Sequence, residues 1–409
     1  MTTMFATPAA AADDLSPAAF HARLDGILPL IESRAAEAEA QGHLTDDVVA
    51  AMRAAGLYTM LYPRVVGGAE LLPIDAMRLA ERIAYAHGSA AWCMMGSNME
   101  GTTMSIYIDQ EGVDTVFAKG PDITISGNGV PRGYARPVEG GWMIKGNWSY
   151  GSGIHHAEWV HSGCFVTDQD GNMQFGEAGQ PKIIVCHHPR ETIRLLGNWD
   201  VLGLRATGSY DYVLDGMDEL FLPACMAYDF DISAPLRGGP QGALGLAGFS
   251  ALAHTSWAIG VGRRALDELK KVIVARVDAF GKSSDSASFR FQYAQAEARY
   301  RAATAFAHEA WQDISDTNAR GETHSQDQLT LVKLALRHIH DVVSETGTFA
   351  YRQARGAGLR DTVLQRSWRD IHAGTQHVLM ADQMVEECGR GLLGIAPPDA
   401  PWTVFGIAG

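Results

Sequence analysis

The feature that most constrains the fold is the pattern of apolar residues and chain-breaking residues, which changes at two points along the chain. Residues 15–120 carry helix-forming stretches with clear start and stop signals. The middle of the chain is rich in glycine and in short apolar runs separated by turns, and the last third returns to long apolar stripes with few breakers. Short strands without intervening helices favour an antiparallel sheet folded on itself. The sequence therefore predicts an α+β protein with a disordered lead-in, an N-terminal helical domain, a central antiparallel β domain, a C-terminal helical domain and a tail, at 1–14, 15–120, 121–232, 240–395 and 396–409.

Local signals place two helices of the first domain. Thr45, followed by acidic residues, is typical of a helix start, and Gly56 of its end. Pro73 suits the first turn of the next helix, which is expected to stop at His87-Gly88.

Composition excludes several classes of function. The 409 residues carry a formal net charge of −14, so attraction to a nucleic-acid backbone is not expected. The five cysteines are scattered without a Cys-x-x-Cys pair, which argues against disulfides and zinc and favours a reducing compartment. No run approaches the roughly 18 uninterrupted apolar residues of a membrane span, and the N-terminus lacks the pattern of a signal peptide. We expect a cytoplasmic protein without a metal site, a nucleic-acid partner or a membrane partner.

One histidine near the end of the chain is a candidate functional residue. His377 follows the Arg369-Asp370 pair by seven residues, a spacing that returns to the same face of a helix two turns later. Its ring would lean over Ala373 and Gly374, whose small side chains would leave a slot on that face. Alternatively, Gly374 permits close helix packing and His377 is a core histidine with a structural role.

Motifs at the junctions of the three regions resemble the acyl-CoA dehydrogenase superfamily, and the likeness extends from about residue 20 to 395. Five stretches carry it in order. They are Leu61-Tyr62-Pro63 with Gly67-Gly68, Gly146-Asn147-Trp148-Ser149-Tyr150-Gly151-Ser152-Gly153 with Trp159, Trp199-Asp200-Val201-Leu202-Gly203-Leu204-Arg205-Ala206-Thr207-Gly208-Ser209, Phe221-Leu222-Pro223, and Arg276 with Phe280-Gly281. The resemblance implies a barrel-like β domain and a C-terminal four-helix bundle.

Within this superfamily, the residues favour an oxygenase over a dehydrogenase. Dehydrogenases need a carboxylate that removes a proton next to a thioester carbonyl. The resemblance places it either eight residues after the Arg-Asp pair, where this chain has Val378, or early in the first C-terminal helix, where residues 252–255 contain no acid. His377 instead resembles the flavin-dependent monooxygenase branch, as does Gly88-Ser89-Ala90-Ala91-Trp92. Some members of that branch carry a second histidine soon after the Trp, whereas this chain has Asn98, Met99 and Glu100.

The resemblance implies roles for two catalytic residues. Ser152 would face N5 of the flavin and hold a C4a-hydroperoxyflavin in place, although a serine between two glycines is also common in turns. His377 would hydrogen-bond the peroxide or deprotonate the substrate, because histidine titrates near neutral pH.

Flavin-binding residues also follow from the resemblance. They are Asn128, Tyr150, Gly151, Ser152, Trp199, Arg276 and Phe280. Arg276 would pair with flavin phosphate, either in its own subunit or in a neighbouring one. A turn Asn, a core Trp and a solvated surface Arg are the structural alternatives for Asn128, Trp199 and Arg276.

These motifs predict the oxygenase component of a two-component monooxygenase that hydroxylates a phenolic or indolic small molecule with dioxygen. No Gly-x-Gly-x-x-Gly follows a strand, so a separate reductase is expected to supply reduced FAD or FMN. A homo-oligomer, by resemblance a tetramer, is expected. The alternatives are an acyl-CoA dehydrogenase-like flavin oxidoreductase with an unrecognised base, and a non-catalytic flavin-binding relative.

Overall fold

The computed structural model describes residues 14–176, 179–278, 281–398, 400–403 and 406–407, the side chain of Asp278 excepted. All of the predicted lead-in except Asp14 lies outside them. The described chain follows the predicted order of helices, strands and helices. The first helices are α1 (Pro17–Gln41), α2 (Asp46–Ala54), α3 (Pro73–Ala86), α4 (Gly88–Tyr107) and α5 (Gln110–Val116). Pro73 occupies the first turn of α3 as predicted, since its missing N–H has no partner to lose there.

The central region forms one main sheet. Its strands are β1 (Ile125–Val138), β2 (Gly141–Gly151), β3 (Trp159–Val166), β4 (Ile183–Pro189), β5 (Ile193–Leu195), β6 (Tyr210–Leu214), β7 (Leu220–Pro223) and β8 (Ala227–Asp229). They pair in the order β5-β6-β2-β1-β3-β4-β8, and β7 also pairs with β2.

The prediction of a purely antiparallel sheet is wrong at its centre, because β1 and β3 are parallel. β2 turns back from β1 with Val138 opposite Gly141, so the chain returns to the beginning of β1. A short connection through Gly153 then starts β3 with Trp159 beside Ile125, in the direction of β1. Strand β2 thus provides the return path that a parallel pair requires, and the sheet is mixed.

The last third of the chain is again helical. It contains α6 (Gly245–Ala275), a short β9 (Val277–Asp278) and β10 (Gly281–Lys282) ribbon, α7 (Ala287–Ala319), α8 (Gln326–Ala354), α9 (Gly356–Leu359), α10 (Val363–Gly374) and α11 (Asp382–Leu392). Helix α6 packs against α3, α4, α8 and α10, which makes it the centre of the helical core. The segment Pro240–Ala275 is long and apolar enough to cross a membrane, but its apolar window is 100% buried within the protein, as in a core helix.

Candidate active site

The site begins where strand β2 ends. Tyr150 has a positive φ of 67°, which turns the chain out of the strand. A side chain at Gly151 would come within 2.7 Å of Ile154, so only glycine fits there without a shift. This geometry presents the hydroxyl of Ser152, which forms hydrogen bonds with Trp92 Nε1 at 3.1 Å and with Ser209 Oγ at 2.7 Å. Ser152 is therefore held between the sheet and α4.

Trp92 connects Ser152 to a cluster of aromatic rings contributed by the helices. Its indole meets His254, Trp257 and His377 edge to face, at centroid distances of 4.9, 5.0 and 6.0 Å. These distances are typical of stabilising aromatic pairs. The side chains come from α4, α6 and the segment after α10, so the cluster fixes three parts of the chain around one indole.

His254 is buried on α6 and does not titrate near neutral pH. It is 5% exposed, and its Nδ1 donates to the carbonyl of Ser250, one helical turn earlier, at 2.7 Å. Burial lowers its pKa to about 4, against a smaller opposite effect of that hydrogen bond. His254 is therefore neutral at physiological pH.

His377 lies beside His254, but it is not on a helix. Helix α10 ends at Gly374, and His377 adopts an extended conformation with φ of −68° and ψ of 144°. Its Nδ1 accepts a hydrogen bond from the backbone N–H of Leu379 at 3.3 Å, and its ring centroid is 4.0 Å from that of His254. Burial, together with His254 and His340, lowers its pKa well below the usual value. The prediction that His377 shares a helix face with Asp370 is thus wrong.

The predicted slot over Gly374 is also absent. A side chain on Gly374 would come within 2.4 Å of the Trp257 ring, which fills the space. The indole of Trp257 donates to the carbonyl of Gly88 at 3.0 Å, which holds the ring in place. Gly374 therefore serves close packing of α10 against α6, the structural alternative given for it.

The Arg369-Asp370 pair joins α10 to the loop beyond β5 and to α1. Arg369 contacts Glu39 on α1 and donates to the carbonyl of Leu202 at 3.1 Å. Asp370 Oδ1 accepts from the N–H of Leu204 at 2.6 Å, and burial raises the pKa of this carboxyl to about 7. The carbonyl of Leu204 in turn accepts from Thr207 Oγ1 at 2.8 Å. Thr207 Oγ1 also forms a hydrogen bond with Ser209 Oγ, and Ser209 bonds Ser152. This chain of contacts therefore positions the Ser152 hydroxyl.

The predicted cofactor residues on the sheet lie together around Ser152. Tyr150 is 59% exposed, and its ring meets that of Trp199 edge to face at 6.1 Å. Trp199 Nε1 donates to the carbonyl of Leu204 at 3.2 Å. Asn128 lies on β1, where its Nδ2 donates to the carbonyl of Ser149 at 2.7 Å. An exposed aromatic ring beside a hydroxyl donor fits a planar cofactor such as a flavin.

The predicted phosphate-binding residue lies elsewhere. Arg276 follows α6, and its guanidinium donates to the carbonyls of Gln353 and Ala354 at the end of α8. Within this chain, Arg276 therefore caps a helix. Phe280 lies outside the described residues.

Sequence reasoning missed two members of the cluster as site residues. Trp92 was used only as part of a motif, although an indole next to small residues could have indicated a packing centre. His254 lies in residues 252–255, where the resemblance to dehydrogenases draws attention only to the missing acid. Its spacing of four from Ser250 on a helix was the available signal, because that spacing lets the ring bond the backbone of the preceding turn.

Some relatives carry a second histidine in the stretch that is Asn98 to Glu100 here. In this protein that stretch packs within the interior. Asn98 donates to the carbonyl of Leu57 at 2.6 Å, and Glu100 is 6% exposed. Burial raises the pKa of Glu100 well above its usual value, which favours the protonated carboxyl.

In this site, the Ser152 hydroxyl and aromatic rings on the sheet are covered by helices that carry the neutral histidines His254 and His377. Fold and site together define an oxidoreductase. Two family models match, "Acyl-CoA dehydrogenase, N-terminal domain" at residues 30–111 and "Acyl-CoA dehydrogenase, C-terminal domain" at residues 252–382. The chain belongs to the acyl-CoA dehydrogenase superfamily.

Similar proteins of known identity are flavin-dependent monooxygenases. Indole-3-acetate monooxygenase of Pseudomonas putida is 28% identical over 93% of this chain and 94% of its own. The oxygenase subunit HsaA, a flavin-dependent monooxygenase of Rhodococcus jostii, is 28% identical over 87% of this chain and 93% of its own. Among solved structures, XiaF from a Streptomyces species, in complex with FADH2 and glycerol, matches with a TM-score of 0.82 at 21% identity, over 94% of this chain and 97% of that chain.

Proposed function

We propose that the protein is the oxygenase component of a two-component flavin-dependent monooxygenase that hydroxylates a phenolic or indolic small molecule. The observation that carries this proposal is the placement of Trp92 between Ser152 and the His254–His377 pair. Neither position at which a dehydrogenase would carry its base holds an acid, since one is Val378 and the other is the stretch with His254. The names of the relatives support the same class of reaction.

The residues of the site have separate tasks in this reaction. Bound reduced flavin, once it has reacted with dioxygen, supplies the oxygen atom that is transferred. Ser152 holds the reacting edge of the flavin through its hydroxyl, and His377 faces the substrate from the bundle. The indoles of Trp92 and Trp257 keep water from this space, and exclusion of water suppresses loss of the oxygen as hydrogen peroxide.

The flavin is supplied by a partner. A separate reductase delivers reduced FAD or FMN, and the flavin leaves after oxidation. Oxidised flavin therefore binds weakly, and gel filtration of the protein mixed with FAD or FMN should separate the two. A stoichiometric flavin that stays with the protein would contradict this part of the proposal.

The protein acts as a homotetramer in the cytoplasm. Arg276 and Phe280 complete the flavin site of a neighbouring subunit in this arrangement. A guanidinium has five N–H donors, so the bonds of Arg276 to the carbonyl groups at the end of α8 are compatible with a further bond to phosphate oxygens across an interface.

One experiment separates the proposed reaction from its alternative. The protein is mixed with chemically reduced FAD or FMN, dioxygen, and a panel of phenols and indoles, and product and peroxide are both measured. Hydroxylated product supports the oxygenase. A dehydrogenase would instead bleach oxidised flavin with an acyl-CoA thioester in the absence of oxygen, and a non-catalytic relative would do neither.

A further inference from the structure

We infer that His254 and His377 together recognise an un-ionised hydroxyl group of the substrate, with His254 accepting its hydrogen bond and His377 donating one to it. This inference rests on the proposed function, because it assigns the substrate group bound at that same site. It makes His254 a specificity-determining residue.

The hydrogen-bond partner of His254 determines its tautomer. A carbonyl oxygen only accepts, so the bond to Ser250 O at 2.7 Å requires the hydrogen on Nδ1. Burial keeps the ring neutral, with a pKa lowered to about 4. A neutral imidazole has one hydrogen, so Nε2 of His254 is a bare acceptor.

The partner of His377 determines the opposite tautomer. A backbone N–H only donates, so the bond from Leu379 requires a lone pair on Nδ1 of His377. The lowered pKa of this ring keeps it neutral too. Its one hydrogen is therefore on Nε2, which becomes a donor.

One hydroxyl oxygen can satisfy both rings at once. The ring centroids are 4.0 Å apart with 33° between the planes. Two hydrogen bonds that share one oxygen allow at most roughly 5.8 Å between the two nitrogens. Rings whose centroids are 4.0 Å apart can place their Nε2 atoms within that limit. A hydroxyl both donates and accepts, whereas an indole N–H only donates and an ether or a phenolate only accepts. Each of the latter leaves one histidine without a partner.

The charged groups around the pair do not favour an anion. His340 on α8 donates through Nε2 to the carbonyl of His254 at 3.1 Å, and its own pKa is lowered to about 3, so it is neutral. Arg337, one turn earlier on α8, contacts Asp341 and Asp382, which balance its charge. From α4 and α6, the rings of Trp92 and Trp257 bring no charge. A phenolate would thus be buried without a cation, which is costly.

The test uses 4-nitrophenol and the flavin-free protein at a pH where the free probe is about half ionised. We expect the bound probe to be neutral, so that binding removes the phenolate colour and takes up protons from the buffer. 4-Nitroanisole, which only accepts, should bind about tenfold more weakly or worse.

Variants of His254 separate recognition from structure. His254→Asn keeps a donor toward Ser250 O but is too short to place an acceptor at the position of Nε2. It should weaken binding of 4-nitrophenol about tenfold or more and abolish the colour loss. His254→Gln offers an amide oxygen as an acceptor and should restore part of the affinity. His338→Asn, on the exposed side of α8, should bind like the wild type. Thermal unfolding verifies that each variant is folded.

The outcomes also distinguish this inference from the proposed function. Wild-type protein that binds the coloured phenolate, fails to bind 4-nitrophenol, or binds it no better than the folded Asn variant overturns the inference. The proposed function still stands in those cases if reduced flavin and dioxygen give hydroxylated product. If the protein binds the neutral phenol selectively but gives no hydroxylated product, the inference about hydroxyl recognition stands and the proposed oxygenase function is wrong.

Discussion

At the scale of single residues, the chemistry depends on how His377 is held. Its ring contacts Trp92 and His254 but lies after the end of α10, so truncation leaves the helices themselves intact. We expect His377→Ala to fold and to lower hydroxylation about 10²–10⁴-fold, the usual contribution of a positioned acid, base or donor. Oxygen consumption should fall much less, so the ratio of product to hydrogen peroxide is the informative measurement. Unchanged coupling would mean that the ring is only packing.

Ser152 should act at an earlier stage than His377. Ser152→Ala removes the acceptor of Trp92 Nε1 and the partner of Ser209. We expect faster release of hydrogen peroxide from the reduced, flavin-loaded protein even without substrate, whereas His377→Ala should require substrate to show its defect. Peroxide release at the wild-type rate without substrate would rule out this role for Ser152.

Asp370 gives the protein a pH-dependent stability. Burial raises its pKa in the folded state to about 7, from 3.8, so the folded protein holds this proton more tightly than the unfolded chain. Its contribution is therefore greatest below about pH 4, decreases as the pH rises toward about 7, and is constant above that. Asp370→Asn keeps an oxygen for Leu204 N–H and cannot ionise.

Denaturant unfolding at about pH 5 and about pH 8 tests this effect. We expect the loss of unfolding free energy between these pH values to be smaller in Asp370→Asn than in the wild type. Asp218→Asn, at an exposed carboxyl between β6 and β7, should leave the wild-type difference intact. Equal losses in all three proteins would show that Asp370 is already ionised at the lower pH.

At the scale of helices and strands, local signals predicted some boundaries and missed others. Helix α2 begins at Asp46, directly after the predicted Thr45. Thr45 makes no side-chain capping hydrogen bond, but Asp46 and Asp47 place negative charge in the first turn, where the helix dipole favours it. The end of α10 was missed, since spacing alone continues the helix through His377. It ends at Gly374, and His377 is extended, with its ring against Trp92 and His254 on other helices. The parallel pairing of β1 and β3 depended likewise on contacts between distant segments.

The packing of α10 against α6 can be tested at Gly374. A methyl group there would come within 2.4 Å of Trp257, whereas one at Gly26 on α1 would meet nothing within 4 Å. We expect Gly374→Ala to destabilise the protein by about 1–3 kcal/mol, as overpacking does. Gly26→Ala should be neutral or stabilising by up to about 1 kcal/mol, since alanine is the better helix former. Denaturant unfolding compares them, and equal stability of the two variants would indicate that Trp257 is free to move.

At the scale of the whole molecule, the site exists only after its parts assemble. The motifs indicated the superfamily and the part of the sheet that carries Ser152. They did not indicate that Trp92 and His254, which are distant in sequence, meet at 4.9 Å. Periodicity reports which face of an element is buried, but not which buried side chains touch. The partnership of His254 with His377 was therefore beyond the sequence, although each residue lay in a stretch that had been singled out.

Assembly of several copies is the remaining prediction at this scale. Large apolar side chains are exposed where α6 ends and α7 begins: Val274 is 63% exposed, Val277 68% and Phe291 65%. Exposed apolar side chains that lie together are typical of protein interfaces, and these three come from adjoining segments of the chain. If they join subunits, Phe291→Ser should shift the tetramer toward smaller species in light scattering and lower activity, because Arg276, beside Val277, would no longer reach a neighbouring flavin. Phe175→Ser, at a side chain that is 53% exposed on the sheet domain, is the matched control and should leave the assembly intact. A wild-type monomer with full activity would contradict both the tetramer and the shared flavin site.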